Sequence, residues 1–291
     1  MNRILIALIC GFIAAAVAVA PATAAYTIDG DLTDWGLAKL NTDPWSAEGT
    51  WLPNWHVAYI IEDNYNPNHN RLPDGVHIRG MGSNYVFYDE PKEILKNSGG
   101  TLVSEPYGGE GYDLEALYFD QDDDNIFIAI VTSLDPEVMA GDSRPGDLAM
   151  NLDLNPSSGD LGYEYGVKVT VGQGDIVMDP VWQKTGYLLP VRPDVIVSGT
   201  VVGTADVAFP KGLGAWLTAM DNSKPNYVIE MAIPKTAVGL ATGDQVSFSS
   251  IMYADNCINE HIFVPEFPTI AISLGLMIGL IFTIFVVRKK E

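Results

Sequence analysis

Short segments with the composition of β-strands, separated by turn residues, recur throughout the middle of the chain. Residues 169–171 and 195–197 are runs of β-branched side chains, which strands favour, and Gly, Pro, Asn and Asp cluster between the segments. Helical periodicity is scarce, and only residues 234–240 predict a short helical turn, ended by Gly239 or Gly243. This pattern predicts an all-β fold, an antiparallel β-sandwich. The predicted strands cover residues 55–61, 84–88, 114–119, 125–132, 148–154, 163–171, 195–202, 227–233 and 245–253.

The N-terminal end, residues 1–25, has the composition of a secretory signal peptide. Arg3 precedes an apolar run over residues 4–20, and small residues lead to Ala24 and Ala25. We expect cleavage after Ala24 or Ala25, so that the protein is exported. An uncleaved N-terminal anchor is the alternative.

The C-terminal end contains a second apolar run. Residues 270–287 carry no charge, which is about the minimum length for a transmembrane helix, and residues 288–290 are all basic. Because basic residues stay on the cytoplasmic side of a membrane, we expect the domain formed by residues 26–263 to lie outside the cell. The membrane is therefore one predicted partner.

A short motif, Pro265-Glu266-Phe267, stands immediately before this predicted helix. The order of motif, apolar span and basic terminus over residues 264–291 resembles the PEF-CTERM sorting signals of archaeal surface proteins. The resemblance implies recognition by a membrane-embedded archaeosortase, which removes the helix and transfers the protein to another anchor. A plain tail anchor, with these three residues as a linker, is the alternative.

The charge of the chain is strongly negative. Its 37 Asp and Glu residues outnumber 16 Lys and Arg residues, which gives a formal net charge of −21. Such a field repels phosphate backbones, so we expect no nucleic-acid partner. The two cysteines, Cys10 and Cys257, cannot build a disulfide framework. The sequence has no Gly-x-Ser-x-Gly, His-Glu-x-x-His or P-loop motif, and we therefore expect a non-catalytic protein.

Three pieces of sequence carry a resemblance to known β-sandwiches. They are IDGDLTDW at residues 28–35, YDLEALY at 112–118 followed by NIFIAI at 125–130, and YVIEMAIP at 227–234. In this order they resemble the domains related to family 9 carbohydrate-binding modules and DOMON domains. The resemblance implies a β-sandwich but no particular ligand, because these folds include sugar-binding, haem-binding and purely structural members.

The acidic residues Asp120, Asp122 and Asp124 alternate along the chain and precede Asn125. Carboxylates at this spacing on a tight turn can converge on a calcium ion, which takes six to eight oxygen ligands. The pattern departs from an EF-hand loop, since its twelfth position is Val131 rather than Glu. We expect either a calcium site, with calcium as the possible cofactor, or a solvated hairpin tip between two strands.

A second acidic group has the same two interpretations. Asp29, Asp31 and Asp34 either bind a cation or form the turn that positions Trp35, which we expect in the core.

Asn151, Asp153 and Asn155 alternate with two leucines, which predicts one solvent-facing side of a strand.

The tryptophans Trp45, Trp51 and Trp55 lie in one stretch rich in turn residues. Exposed indole rings can stack on the faces of sugar rings, so these residues are the candidate ligand platform. They can equally cover an edge of the sandwich, because Trp is highly buried on average.

Together these patterns predict an archaeal cell-surface protein that binds a polysaccharide or other cell-envelope material. A structural surface-matrix component without a small ligand is the first alternative. A secreted glycan-active enzyme and a haem-binding domain are further alternatives, although covalent haem is excluded because Cys-x-x-Cys-His is absent.

Overall fold

The computed structural model describes residues 26–37, 52–63, 76–81, 84–87, 95–97, 102–103, 114–132, 146–153, 155–169, 174–184, 188–189, 193–208, 227–246 and 250–253. The predicted signal peptide, Trp45, Trp51, Pro265, Glu266, Phe267 and the predicted helix over 270–287 all lie outside these residues. No helix in the described ranges is long and apolar enough to cross a membrane.

The described chain is built from β-strands and one short 3₁₀ helix. The strands are β1 (Ala58–Asp63), β2 (Val76–Met81), β3 (Asn84–Phe87), β4 (Leu95–Asn97), β5 (Leu102–Val103), β6 (Leu114–Gln121), β7 (Asn125–Thr132), β8 (Leu148–Asn151), β9 (Tyr165–Val167), β10 (Asp175–Lys184), β11 (Leu188–Leu189), β12 (Pro193–Thr204), β13 (Asp206–Ala208), β14 (Tyr227–Pro234) and β15 (Ser250–Tyr253). The 3₁₀ helix is Lys235–Val238, and Gly239 ends it with a φ of 78°, as the sequence predicted.

All strand pairs are antiparallel. The largest sheet has the order β13-β14-β7-β6-β1-β2-β3, the second has β12-β10-β9-β8-β15, and β11-β4-β5 form a small third sheet. In the largest sheet β14 pairs with β7 without interruption, from Tyr227 opposite Thr132 to Pro234 opposite Asn125. The all-β prediction is confirmed.

The main core lies between the two larger sheets. Ile126, Ile128 and Ile130 of β7 pack in one cluster with Leu148 and Met150 of β8. Because side chains alternate along a strand, Phe127, Ala129 and Val131 point to the opposite face of the same sheet. The two larger sheets are therefore packed face to face, which is a sandwich arrangement.

The outer face of the seven-stranded sheet is also buried. Residues 26–37 cover it, and Leu32, Trp35 and Leu37 join Phe127 and Ala129 in a second cluster. Trp35 is fully buried, as predicted. Burial on both faces explains why β7 reads as a nearly continuous apolar run rather than an alternating one.

Six of the observed strands were not predicted from the sequence, namely β2, β4, β5, β10, β11 and β13. Two of the differences from the prediction have a local cause. Strand β8 ends at Asn151 instead of continuing to residue 154, because Asp153 accepts a hydrogen bond from the backbone N–H of Asn155 and so turns the chain. Strand β10 was not predicted, and its irregular pairing with β12 around Asp179 interrupts the alternation that identifies a strand.

Candidate functional site

A buried carboxylate fixes the N-terminal segment on the outer face of the large sheet. Glu230 of β14 accepts a hydrogen bond from Trp35 Nε1 at 2.7 Å and bonds from the backbone N–H groups of Gly30 and Asp29 at 2.8 and 3.0 Å. Burial raises its pKa from 4.5 to about 7, although these three donors oppose the shift. The opening motif at 28–35 and the late motif of β14 are therefore in direct contact.

The acidic residues of the opening turn bond to nearby backbone. Asp29 accepts from the N–H of Asp31, Asp31 accepts from the N–H of Thr33, and Asp34 accepts from the N–H of Thr27. Burial raises the pKa of Asp34. These bonds are the turn chemistry that positions Trp35.

Tyr26, at the start of the described chain, lies over this face. Its ring is 4.3 Å from the ring of Trp35 and 4.8 Å from that of Phe127, measured between centroids. Its hydroxyl donates to Asp120 Oδ2 at 2.5 Å. Burial, together with this bond to Asp120, raises the pKa of the Tyr26 hydroxyl above its usual value.

The same carboxylate oxygen connects Tyr26 to an exposed aromatic residue. His56 Nδ1 is 2.8 Å from Asp120 Oδ2. The ring of Trp55 meets the ring of His56 edge to face, with centroids 5.4 Å apart. Trp55 itself is 67% exposed. Of the three predicted platform tryptophans, Trp55 is the one that the structure describes.

Tyr26 also lines an open cleft of about 540 Å³. Its apolar lining is formed by the rings of Tyr26 and Phe127 with aliphatic side chains, and its polar lining is two carboxylates and an amide. The lining residues are Tyr26, Ile28, Asp122, Asn125, Phe127, Asp206, Val207 and Ala232. Rings beside carboxylate and amide groups can contact the C–H face and the hydroxyl groups of a sugar.

The three acidic residues predicted to bind calcium, Asp120 on β6 and Asp122 and Asp124 in the β6–β7 turn, bond in different directions. Asp120 faces Tyr26 and His56, Asp122 Oδ1 accepts from the N–H groups of Asp124 and Asn125, and Asp124 Oδ1 accepts from the hydroxyl of Thr242. The turn is therefore a hairpin tip joining β6 and β7. No group of three or more His, Cys, Asp or Glu side chains among the described residues is arranged to hold a metal ion. Calcium at Asp120, Asp122 and Asp124 remains a prediction.

A lysine supplies positive charge to this tip. Lys235 is fully buried, and its Nζ donates to the carbonyl oxygens of Asp122 and Asp244 at 2.5 Å each. Burial lowers its pKa, while the surrounding carboxylates of Asp122, Asp123 and Asp244 oppose that shift. Carbonyl oxygens that could coordinate a cation are thus bound to an ammonium group.

Sequence reasoning did not identify Tyr26, His56, Asp206 or Lys235 as members of this site. Tyr26 and Asp120 are 94 residues apart in sequence, so no local spacing could have joined them. The sequence does contain one indication for Lys235, because a basic residue directly after the apolar strand β14 is unusual in so acidic a chain.

Comparisons with known proteins give no family for this chain. No protein-family model matches it, and a search of curated proteins finds no significant match.

Proposed function

We propose that this protein is displayed outside the cell and binds carbohydrate of the cell envelope through its outer face. The observation that carries the proposal is the exposed Trp55, connected by His56 and Asp120 to Tyr26 at the wall of an open cleft. Leaving an indole ring in water is unfavourable, so an exposed Trp beside hydrogen-bonding groups favours a ligand platform.

Delivery to the surface is the second part of the proposal. Residues 1–25 act as the export signal, and Pro265, Glu266 and Phe267 with the span over 270–287 act as the sorting signal that an archaeosortase-type enzyme processes. The resemblance of residues 264–291 to PEF-CTERM signals supports this part. The choice of carbohydrate as the ligand is supported by the exposed ring of Trp55 beside hydrogen-bonding groups, because the resemblance to carbohydrate-binding modules implies no particular ligand.

Binding is tested with the full chain in a mild detergent against a panel of polysaccharides and cell-wall preparations. Trp55→Ala should lower retention about tenfold, which corresponds to the loss of roughly 1.4 kcal/mol of stacking. Asp206→Asn should weaken retention through the cleft. Val201→Ala is the matched control, because Val201 is 57% exposed but lies on β12 in the other sheet.

Three results would contradict carbohydrate binding at this face. The first is that the unaltered chain is retained on no material. The second is that Trp55→Ala is retained as well as the unaltered chain. The third is that Trp55→Ala does not fold, so that unfolding explains its loss of retention. We expect the melting temperature of Trp55→Ala to match that of the unaltered chain, because exposed substitutions usually change stability by less than about 0.5 kcal/mol.

One observation favours a structural surface-matrix role as the second candidate. In the described part of the chain β12 lies at the edge of its sheet, and Val197 and Val201 on it are each 57% exposed. The sequence around Gly199 is nearly symmetric, so antiparallel pairing of two copies would place Val197 opposite Val201. Sedimentation of the full chain tests this role. The role would be refuted if the unaltered chain sediments as a monomer and Val201→Lys sediments in the same way.

A further inference from the structure

The loop between β8 and β9 contains oxygen-bearing residues at a characteristic spacing. Asp153, Asn155, Ser157 and Glu164 occupy the first, third, fifth and twelfth positions of a twelve-residue segment. These are positions from which EF-hand loops take calcium ligands, and the twelfth is Glu in both. The glycine that permits the turn, Gly159 with a φ of 60°, stands one position later than in an EF-hand.

The chain folds so that the two ends of this segment meet. Glu164 Oε1 accepts hydrogen bonds from the backbone N–H groups of Leu152 and Asp153. The Glu164 carboxylate is therefore beside the start of the loop. Asn155 and Ser157 follow through successive turns, in which Asp153 Oδ1 accepts from Asn155 N–H and Asn155 Oδ1 from Ser157 N–H.

Two buried oxygen atoms at this place have no hydrogen-bond partner. Asn151 is 8% exposed and its Oδ1 is unpartnered, and Glu164 Oε2 is buried and unpartnered as well. The β8–β9 pairing ends with Met150 opposite Tyr165, and Asn151 and Glu164 are the residues that directly follow and precede this pair in the chain. Two buried acceptors without a donor at the end of this pairing leave a desolvation cost that a bound cation would remove.

A lysine of β10 that reaches this loop is bound to a different carboxylate. Lys184 Nζ donates to Asp160 Oδ1 at 2.9 Å, and the other oxygen of Asp160 accepts from the N–H of Trp182. Asp160 is thereby held toward β10. The Glu164 carboxylate is left without a lysine partner among the described residues.

We propose that the β8–β9 loop binds a calcium ion through Asp153, Asn155, Ser157 and Glu164, with Asn151 beside them. The donors are two carboxylates, an amide and a hydroxyl, all hard oxygen ligands on a loop, which suits Ca²⁺ better than Mg²⁺ with its strict octahedral geometry. This site is separate from the β6–β7 tip and does not depend on carbohydrate binding.

The experiment is a calcium titration of the chelator-treated full chain by isothermal calorimetry, repeated with variants. Glu164→Gln and Asp153→Asn should each weaken calcium binding at least about tenfold, because affinity depends on the number of charged ligands. Asp160→Asn in the same loop is the control and should stay within about twofold of the unaltered chain, and Asp122→Asn reports separately on the β6–β7 tip, where calcium was also predicted.

Terbium provides a second signal. Tyr163 and Tyr165 flank Glu164, so terbium bound in the loop should show tyrosine-sensitised emission that calcium displaces and Glu164→Gln removes. Circular dichroism in chelator checks that each variant is folded. If Glu164→Gln does not fold, Asp153→Asn decides, since the Asp153 side chain is exposed. The proposal is overturned if the unaltered chain binds no calcium, or if Asp122→Asn abolishes binding that Glu164→Gln and Asp153→Asn retain.

Discussion

Replacing Glu230 by Gln should change how the stability of the protein depends on pH. Glu230 is fully buried, and its pKa rises from 4.5 to about 7 in the folded chain, chiefly through desolvation. At about 1.4 kcal/mol for each tenfold change in proton affinity, this difference corresponds to about 3 kcal/mol. Glutamine keeps the shape of the side chain and has no proton to lose in this range. Its NH2 group cannot accept from the N–H donors around position 230, so the variant also loses stability by an amount that does not depend on pH.

The sign follows from proton binding. Between pH 4.5 and pH 7 the folded chain keeps the Glu230 proton while the unfolded chain has lost it, so folding takes up a proton. The free energy of unfolding therefore falls as pH rises through this window. In Glu230→Gln this decline is absent. The difference in free energy of unfolding between the variant and the unaltered chain should therefore shift by about 3 kcal/mol in favour of the variant from pH 4.5 to pH 8.

The assay is urea unfolding of both full chains, followed by tryptophan fluorescence at several pH values across this window. Comparing the two proteins cancels the other titrating groups. Asp123→Asn, an acid-to-amide change at an exposed position, is the control and should follow the unaltered chain. A stability difference between Glu230→Gln and the unaltered chain that does not change with pH would refute the reasoning, since the three N–H donors would then keep Glu230 ionised.

Three further substitutions test the packing around the site. Lys235→Met should lower the free energy of unfolding by about 2–4 kcal/mol, because the carbonyl oxygens of Asp122 and Asp244 and the acidic β6–β7 tip lose their cation. Urea unfolding that matches the unaltered chain would contradict this. Trp35→Ala should cost about 3–5 kcal/mol, seen as a lower melting temperature, and a loss below 1 kcal/mol would mean that Trp35 does not anchor the outer face. Gly166→Ala should lower the free energy of unfolding by about 1–3 kcal/mol, because the added Cβ would lie 2.8 Å from Trp182 and 3.0 Å from the carbonyl oxygen of Leu148. A melting temperature at or above that of the unaltered chain would show instead that β9 can shift to accommodate the Cβ.

The central strands β7 and β14 were predictable because each is a short, nearly continuous run of apolar residues. The predicted bounds of β7 match the observed Asn125–Thr132, and the prediction for β14 differs by one residue. Strand β10 was not predictable in the same way. Asp179 has a φ of 48° and Pro180 follows it, so the strand contains residues that normally mark a turn.

The candidate site could be predicted only in fragments. The exposed Trp55 belongs to the predicted platform, and Asp120 belongs to a predicted cluster, but the sequence assigned them to different ligands. Tyr26 and His56 join them through one carboxylate oxygen, a contact that depends on how residues 26–37 cross the sheet. Spacing along the chain carries no information about such a contact.

The chemistry of Glu230 explains why the site has a defined shape. A buried carboxylate with a raised pKa is a weak source of stability, and an apolar side chain of similar size would avoid the cost of desolvating the carboxylate. What an apolar side chain could not do is accept bonds from Trp35 and from the backbone of Asp29 and Gly30, and so fix the segment that carries Tyr26. Because Tyr26 is both the neighbour of Asp120 and a wall of the cleft, the position of Glu230 determines the geometry of the face proposed to bind carbohydrate. We infer that Glu230 acts chiefly on this geometry, and only secondarily on stability.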